Sequence, residues 1–250
     1  MKDFVNRYSL ALDYHQNSSV PTRLKHYEPK VHYKIYPNTR VVEMERNKVI
    51  RNQQEDDFIS TLLQRESTRK FSAENISFDV LARLLTLSFG AQGENKDIVR
   101  RTYASAGACY PIEVYLVLLR SDDMERGIYH YNIFDNTLEL LRKGDYAEEI
   151  YRFYENQRLI EMTLNFPFII LFSMIPERSM QRYGERGYRY ALIDAGHMSQ
   201  NLYLVATYMK IGIVALGRGA EDDSWLDALL KISTNEESVF YGFAVGYPQR

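Results

Sequence analysis

The sequence holds one cysteine, Cys109, in 250 residues. A lone thiol forms no intramolecular disulfide and no multi-thiolate zinc site, and it suits a reducing cytoplasm better than a secreted scaffold. An excess of charge of one sign is also missing. The 31 Lys and Arg residues face 33 Asp and Glu, leaving a formal charge of −2, so no broad attraction to nucleic acid is expected. Long apolar runs are absent: stretches such as Val114–Leu119 fall well short of the roughly 18 residues that a membrane-spanning helix needs. No membrane partner is expected. Charges scattered after Lys2 leave no room for the apolar core of a signal peptide, and the reading is a cytoplasmic protein. His15, His26, His32, His130 and His197 show neither i,i+4 spacing nor cysteine partners, which argues against a metal site. Tyrosine, by contrast, is abundant: 20 residues, against 12 Phe and 1 Trp, suit half-buried positions along a cleft or an interface.

Residues 1–56 show weak periodicity and hold three of the seven prolines, Pro21, Pro29 and Pro37. They read as an extended arm that lies over a core formed elsewhere or wraps a partner subunit. Residues 57–250 read as one domain. Phe58, Leu62 and Leu63 recur on one face of a helix that starts at Asp57, and Ser77 caps a second helix that stops at Gly90. Ile112–Leu119, Gly127–Tyr131 and Thr137–Leu141 are β-favouring, with Asp135-Asn136 as a turn, and predict an antiparallel meander. A helix over Ala147–Ile160, a buried strand over Phe168–Met174 and a long helix over Tyr188–Lys210 follow. Strands at Ile213–Leu216 and Val239–Val245 bracket a short helix at Ser224–Lys231. This irregular alternation with a hairpin inside predicts an α+β fold rather than a doubly wound parallel sheet.

Two familiar motifs fail on inspection. Gly217-Arg218-Gly219 resembles a dinucleotide loop, but the third glycine would fall at Asp222. Ala104-Ser105-Ala106-Gly107 resembles half of a nucleophile elbow, but Tyr103 stands where that elbow needs glycine.

Three other segments carry chemistry. In Arg65-Glu66-Ser67-Thr68-Arg69-Lys70-Phe71, residues 65, 67 and 69 point the same way if the chain is extended. Two guanidiniums and a hydroxyl then converge on one anion of phosphate shape; the alternative is a solvated helix end whose arginines pair with Glu66 or Glu74. The second segment runs from Arg101 to Pro111. Its small residues Ala104–Ala108 let backbone N–H groups approach a flat ligand, or simply form a tight turn. The third, Gln181–Tyr190, interleaves Arg182, Arg186 and Arg189 with Tyr183, Tyr188 and Tyr190 and leads into a helix carrying Asp194, His197 and Asn201. Its arginines suggest a nucleic-acid patch, which the neutral total charge argues against. His197, inside an apolar helix, is more often a hydrogen-bonded core histidine than a catalyst.

In this order and spacing the three segments resemble the FMN-dependent nitroreductase superfamily, and within it the SagB-type dehydrogenase branch. The resemblance rests on Arg65–Phe71, Arg101–Val117, Tyr183–Asn201 with Leu204–Leu216, and the closing Ala244–Pro248. It implies helices around a mainly antiparallel sheet and a homodimer with FMN at the subunit interface. By position, Arg65, Ser67 and Arg69 would hold the FMN phosphate and ribityl chain. Ser105, Ala106 and Gly107 would line the isoalloxazine, and Leu216, Gly217 and Arg218 would sit near its reactive edge. Members of that branch oxidise azoline rings in peptide-derived intermediates to azoles, with flavin as hydride acceptor.

The sequence departs from the branch at two places. A Lys-Tyr pair that handles the proton there is matched by Arg182-Tyr183, and a guanidinium is no base at neutral pH. Tyr183 is then the proton acceptor, with Arg182, Arg186 or Arg189 stabilising its charge. A basic residue beyond the Gly-Tyr-Pro string is matched only by Arg250. The principal expectation is an FMN-dependent dehydrogenase acting on an azoline-type ring of a peptide-derived natural-product intermediate, in a homodimer and within a biosynthetic complex. The other readings are an NAD(P)H-dependent nitro, quinone or ene reductase and a flavin-binding scaffold subunit.

Overall fold

The computed structural model describes residues 9–18, 57–92, 100–155, 165–216, 224–233 and 236–249. In chain order the elements are α1 (Ser9–Ser18), α2 (Asp57–Gln64), α3 (Phe78–Phe89), the short pair β1 (Ala91–Gln92) and β2 (Arg100–Arg101), and a 3-10 turn at Ala106–Ala108. Then come β3 (Ile112–Leu118), β4 (Gly127–Asn132), β5 (Thr137–Lys143), α4 (Ala147–Glu155), β6 (Phe168–Met174) and α5 (Pro176–Tyr183). The chain continues with α6 (Arg186–Tyr208), β7 (Gly212–Leu216), α7 (Ser224–Leu230) and β8 (Ser238–Gly246).

β6, Phe-Ile-Ile-Leu-Phe-Ser-Met, is buried at every position, as a strand must be when helices cover both faces of its sheet. It pairs with β3 on one side and β8 on the other, in a six-stranded antiparallel sheet of order β5-β4-β3-β6-β8-β7. Successive side chains point to opposite faces. Val114, Leu116 and Leu118 of β3 join Phe168, Ile170 and Phe172 in one core, while Tyr115 and Val117 join Ile169 and Leu171 in the other. The first core is closed by Leu81, Leu84, Leu85 and Phe89 of α3 and by Ala191, Ala195, Met198 and Leu202 of α6. The second is closed by Ile150 of α4 and by Leu226 and Leu230 of α7. Each fully buried leucine contributes about 1.5–3 kcal/mol, so the first of these layers anchors α6 against the sheet.

The α+β architecture and the antiparallel meander follow the sequence reading. Ser77 caps α3, its Oγ accepting the Val80 N–H. Elsewhere the structure differs. Ser9–Ser18, inside the expected extended arm, is helical; most of the arm and residues 156–160 of the helix expected over Ala147–Ile160 lie outside the described residues. In α2, Phe58, Leu62 and Leu63 are exposed and Thr61 is the buried residue, so its apolar stripe faces away from the core. α5 was not expected: Pro176 opens it, and Gly184, at φ 59° and ψ −149°, ends it. Among the described residues no helix is long and apolar enough to cross a membrane.

Candidate active site

The second segment folds into a strained turn that α6 holds in place. Gly107, Ala108 and Tyr110 all have positive φ, at 59°, 54° and 46°, which costs roughly 1–2 kcal/mol for each residue with a Cβ. Asp194 of α6, buried at 2% exposure, accepts the Ser105 hydroxyl at 2.5 Å and the Ala106 N–H at 3.2 Å. Burial pushes its carboxyl above the ordinary aspartate range, against the lowering effect of the two donors and of His197. One turn on, His197 Nδ1 is 3.0 Å from the Ala104 carbonyl; because that oxygen only accepts, Nδ1 carries the hydrogen. Asn201 donates to the Thr102 carbonyl at 2.8 Å. Beneath the turn, the Arg101 guanidinium stacks 4.1 Å from the Tyr110 ring centre and donates to Tyr103 Oη at 2.7 Å. Burial raises the Tyr103 phenol to about 12, with Arg101 opposing it.

The Ser105 hydroxyl and the Ala106 N–H are spent on Asp194, so neither is left to donate to a ligand. The Ala108 and Cys109 amides bond within the turn, and Tyr110 donates to Ser105 Oγ at 3.0 Å. Of the amides 106–110, only that of Gly107 takes no partner among the described residues.

The third segment meets the turn at Gly107. A Cβ there would overlap Tyr183 Oη and lie 3.0 Å from Arg182 Nε, so glycine is required for this approach as well as for its φ. Tyr183 is the last residue of α5, and its ring stands edge-on to Tyr190 of α6 at 5.0 Å. Arg182 and Tyr183 are adjacent residues of α5. On a helix they are about 100° apart, and the Arg182 guanidinium lies 5.6 Å from the Tyr183 ring centre. Arg182, rather than Arg186 or Arg189, is therefore the cation seen against Tyr183. The elbow between α5 and α6 is tight: a Cβ at Gly187 would sit 2.7 Å from the Ser179 carbonyl, and Ser179 Oγ donates to the Gly187 carbonyl at 3.0 Å. α1 docks on the same elbow, where Glu185 accepts the Ala11 N–H at 2.9 Å and His15 Nδ1 bonds Tyr188 Oη at 2.6 Å.

The first segment lies elsewhere on α6. Arg65 stacks on Tyr203, 5.6 Å from its ring centre, and Ser67 Oγ lies 3.4 Å from Tyr203 Oη. Tyr203 Oη also accepts the Ala215 N–H at 2.8 Å, which ties this segment to β7. The arginines do not pair with Glu66 or Glu74 among the described residues: Glu74 takes the Ser72 hydroxyl, and no ion pair of Arg65 or Arg69 is seen. The closing strand returns here, with Ser72 N–H donating to the Tyr247 carbonyl and Gln249 N–H to that of Lys70. Leu216 ends β7 and is buried; Gly217, Arg218 and Arg250 lie outside the described residues. Asp194 and Tyr203 are nine positions apart on one helix, hence about 180° around its axis and ~13 Å along it. In a single chain, the first and second segments flank opposite sides of α6.

An antiparallel sheet covered by helices on both faces, with these segments gathered about one long helix, places the chain in the nitroreductase family of oxidoreductases. It belongs to that family, whose match spans residues 62–247. It is similar to the Microcin B17-processing protein McbC of Escherichia coli, 33% identical over 138 residues, 52% of this chain and 48% of McbC. The chain thus spans about half of McbC. It is also similar to the nitroreductase MJ1384 of Methanocaldococcus jannaschii, 29% identical over 68% of this chain and 82% of that protein. In fold it matches a chain of the E. coli microcin synthetase McbBCD complex with truncated pro-MccB17 bound (TM-score 0.78, 22% identity, 98% of this chain and 94% of that one). The likeness to McbC supports the SagB-type branch read from the motifs.

Proposed function

We propose that the chain is an FMN-dependent dehydrogenase that removes two hydrogens from an azoline-type ring in a peptide-derived intermediate. The observation that carries the reading is the contact of Tyr183 Oη with Gly107, where a phenol meets the one residue of the turn without a side chain. FMN fits the residues present. Arg65 and Ser67 converge on Tyr203, Arg69 is exposed, and neither guanidinium is neutralised by a carboxylate among the described residues; they would hold the phosphate. The turn at 105–107 would lie along the ring system, and Leu216, Gly217 and Arg218 near its edge. When bound, FMN supplies the hydride acceptor and the route of those electrons to oxygen. Tyr183 in its phenolate form would take the accompanying proton at Oη and become the neutral phenol, and the Arg182 cation would stabilise that phenolate beforehand. The likeness to a microcin-processing protein supports a peptide substrate and work within a biosynthetic complex.

A homodimer completes this reading. The two cofactor-binding segments flank opposite sides of α6, so one site draws its first segment from one chain and its turn from the other. The outward stripe of α2, with Phe58 at 60%, Leu62 at 41% and Leu63 at 54% exposure, and the exposed Leu192 and Ile193 of α6 supply apolar surface for such contact.

The test is direct. Purified protein should carry FMN, and with an azoline-bearing peptide and oxygen it should yield the azole, read by mass spectrometry as loss of two hydrogens. Flavin bleached by NADH or NADPH with no peptide turnover would assign a reductase instead. Bound flavin inert to both would leave a scaffold subunit.

A further inference from the structure

Asp194 has no place in the chemistry proposed above, yet it is a buried carboxylate with both oxygens committed to the turn at 104–108. Burying a charge without a counter-ion is costly unless hydrogen bonds satisfy it. No ion pair of Asp194 is seen among the described residues. Its partners are the Ser105 hydroxyl and the Ala106 amide, and Ser105 Oγ in turn accepts the Tyr110 N–H. The chain from Asp194 through Ser105 to Tyr110 thus spans the turn and holds the amide of Tyr110, one of its two strained residues with a Cβ; the other, Ala108, bonds the Ser105 carbonyl. His197, one turn along α6, holds the preceding carbonyl.

We infer that Asp194 is a positioning residue: by taking the Ser105 hydroxyl and the Ala106 amide it sets the turn so that the Gly107 amide is the donor left for the flavin. The inference rests on the flavin reading above. It adds that the turn is preformed by a carboxylate on α6, so that binding need not also order it. A turn left to itself would relax Ala108 and Tyr110 toward negative φ, carrying Gly107 away from Tyr183.

Two measurements on the full chain test it. Amide hydrogen exchange over residues 104–110 needs no ligand, and in Asp194→Ala it should accelerate while the amides of β3 and β6 stay protected. The FMN dissociation constant, followed by quenching of flavin fluorescence, should rise at least about tenfold, the scale of losing a hydrogen bond to a charged group. Asp194→Asn, nearly isosteric, keeps an acceptor for Ala106 but turns a donor toward Ser105. It should fall between the two and covers the case in which the alanine variant does not fold. Ser105→Ala should weaken FMN in the wild-type background and add little on top of Asp194→Ala, since the two act as one unit. Unchanged exchange over 104–110 overturns the inference, and so does faster exchange with an unchanged FMN constant. If the unaltered chain takes up no FMN, the flavin reading itself fails and the role assigned to Asp194 falls with it.

Discussion

Arg65 and Arg69 can be removed without touching the core, because both lie in the linker after α2 and neither has a carboxylate partner among the described residues. Arg65→Ala with Arg69→Ala should therefore lose most bound FMN while melting near the wild-type temperature. Full flavin absorbance after gel filtration of the double variant would remove the phosphate assignment. Tyr183→Phe makes the complementary cut. It keeps the ring against Tyr190 but loses the oxygen at Gly107, so FMN should stay and turnover should fall by about 10²–10⁴, the usual worth of a positioned base. Arg182→Lys keeps the cation and adds an amine able to lose a proton when buried, and its turnover should match or exceed wild type. A wild-type rate in Tyr183→Phe across neutral pH would send the proton elsewhere. At this scale the sequence singles out the strings but not what each atom does: nothing local reveals that the Ser105 hydroxyl meets a carboxylate 89 residues away.

His130 of β4 joins several elements at once. Its Nε2 is 3.0 Å from Glu113 of β3 and its Nδ1 is 2.9 Å from Glu139 of β5, while Glu113 also takes a hydrogen bond from Arg178 of α5. Arg178 reaches the Tyr110 carbonyl as well, so this network braces α5 against the turn. The Glu113 hydrogen bond raises the His130 pKa above its ordinary value despite burial. Burial pushes Glu113 up, but His130 and Arg178 outweigh it and hold the carboxyl below its ordinary range. A raised histidine stabilises the fold fully below its unfolded value, near 6.5, and that contribution is lost as pH rises through the folded value. The melting temperature of the wild type should thus decline as pH climbs above about 6.5. His130→Gln should flatten the decline, modestly, since partly exposed pairs are worth about 1 kcal/mol or less; an identical pH slope in the two proteins would contradict it. Elements with a buried stripe were legible in the sequence: α3, α6 and the strands of the sheet all come within a few residues of expectation. α5 was not, because it buries only Ser179 and Met180 and shows no apolar period. Its remaining signals were Pro176 at the start and Gly184 at the end.

For the whole molecule, the proposed dimer would use the outward stripe of α2 as its contact surface. Leu62→Glu with Leu63→Glu places two charges on that surface, away from the core, and should turn a flavin-loaded dimer into monomers that release FMN. Light scattering coupled to flavin absorbance reads both. A double variant that remains dimeric would free α2 of that role, and a wild-type monomer that binds FMN tightly would contradict the dimer outright. The arrangement about α6 also has a genetic consequence. If every pocket takes its arginine strand from one chain and its glycine turn from the other, two defective alleles can rescue each other. In a mixed dimer of an Arg65→Ala/Arg69→Ala chain and a Gly107→Val chain, one pocket inherits both lesions and the other inherits neither. Coexpressing two colourless proteins should then return a yellow one, with roughly a quarter of the pockets filled if the chains assort at random.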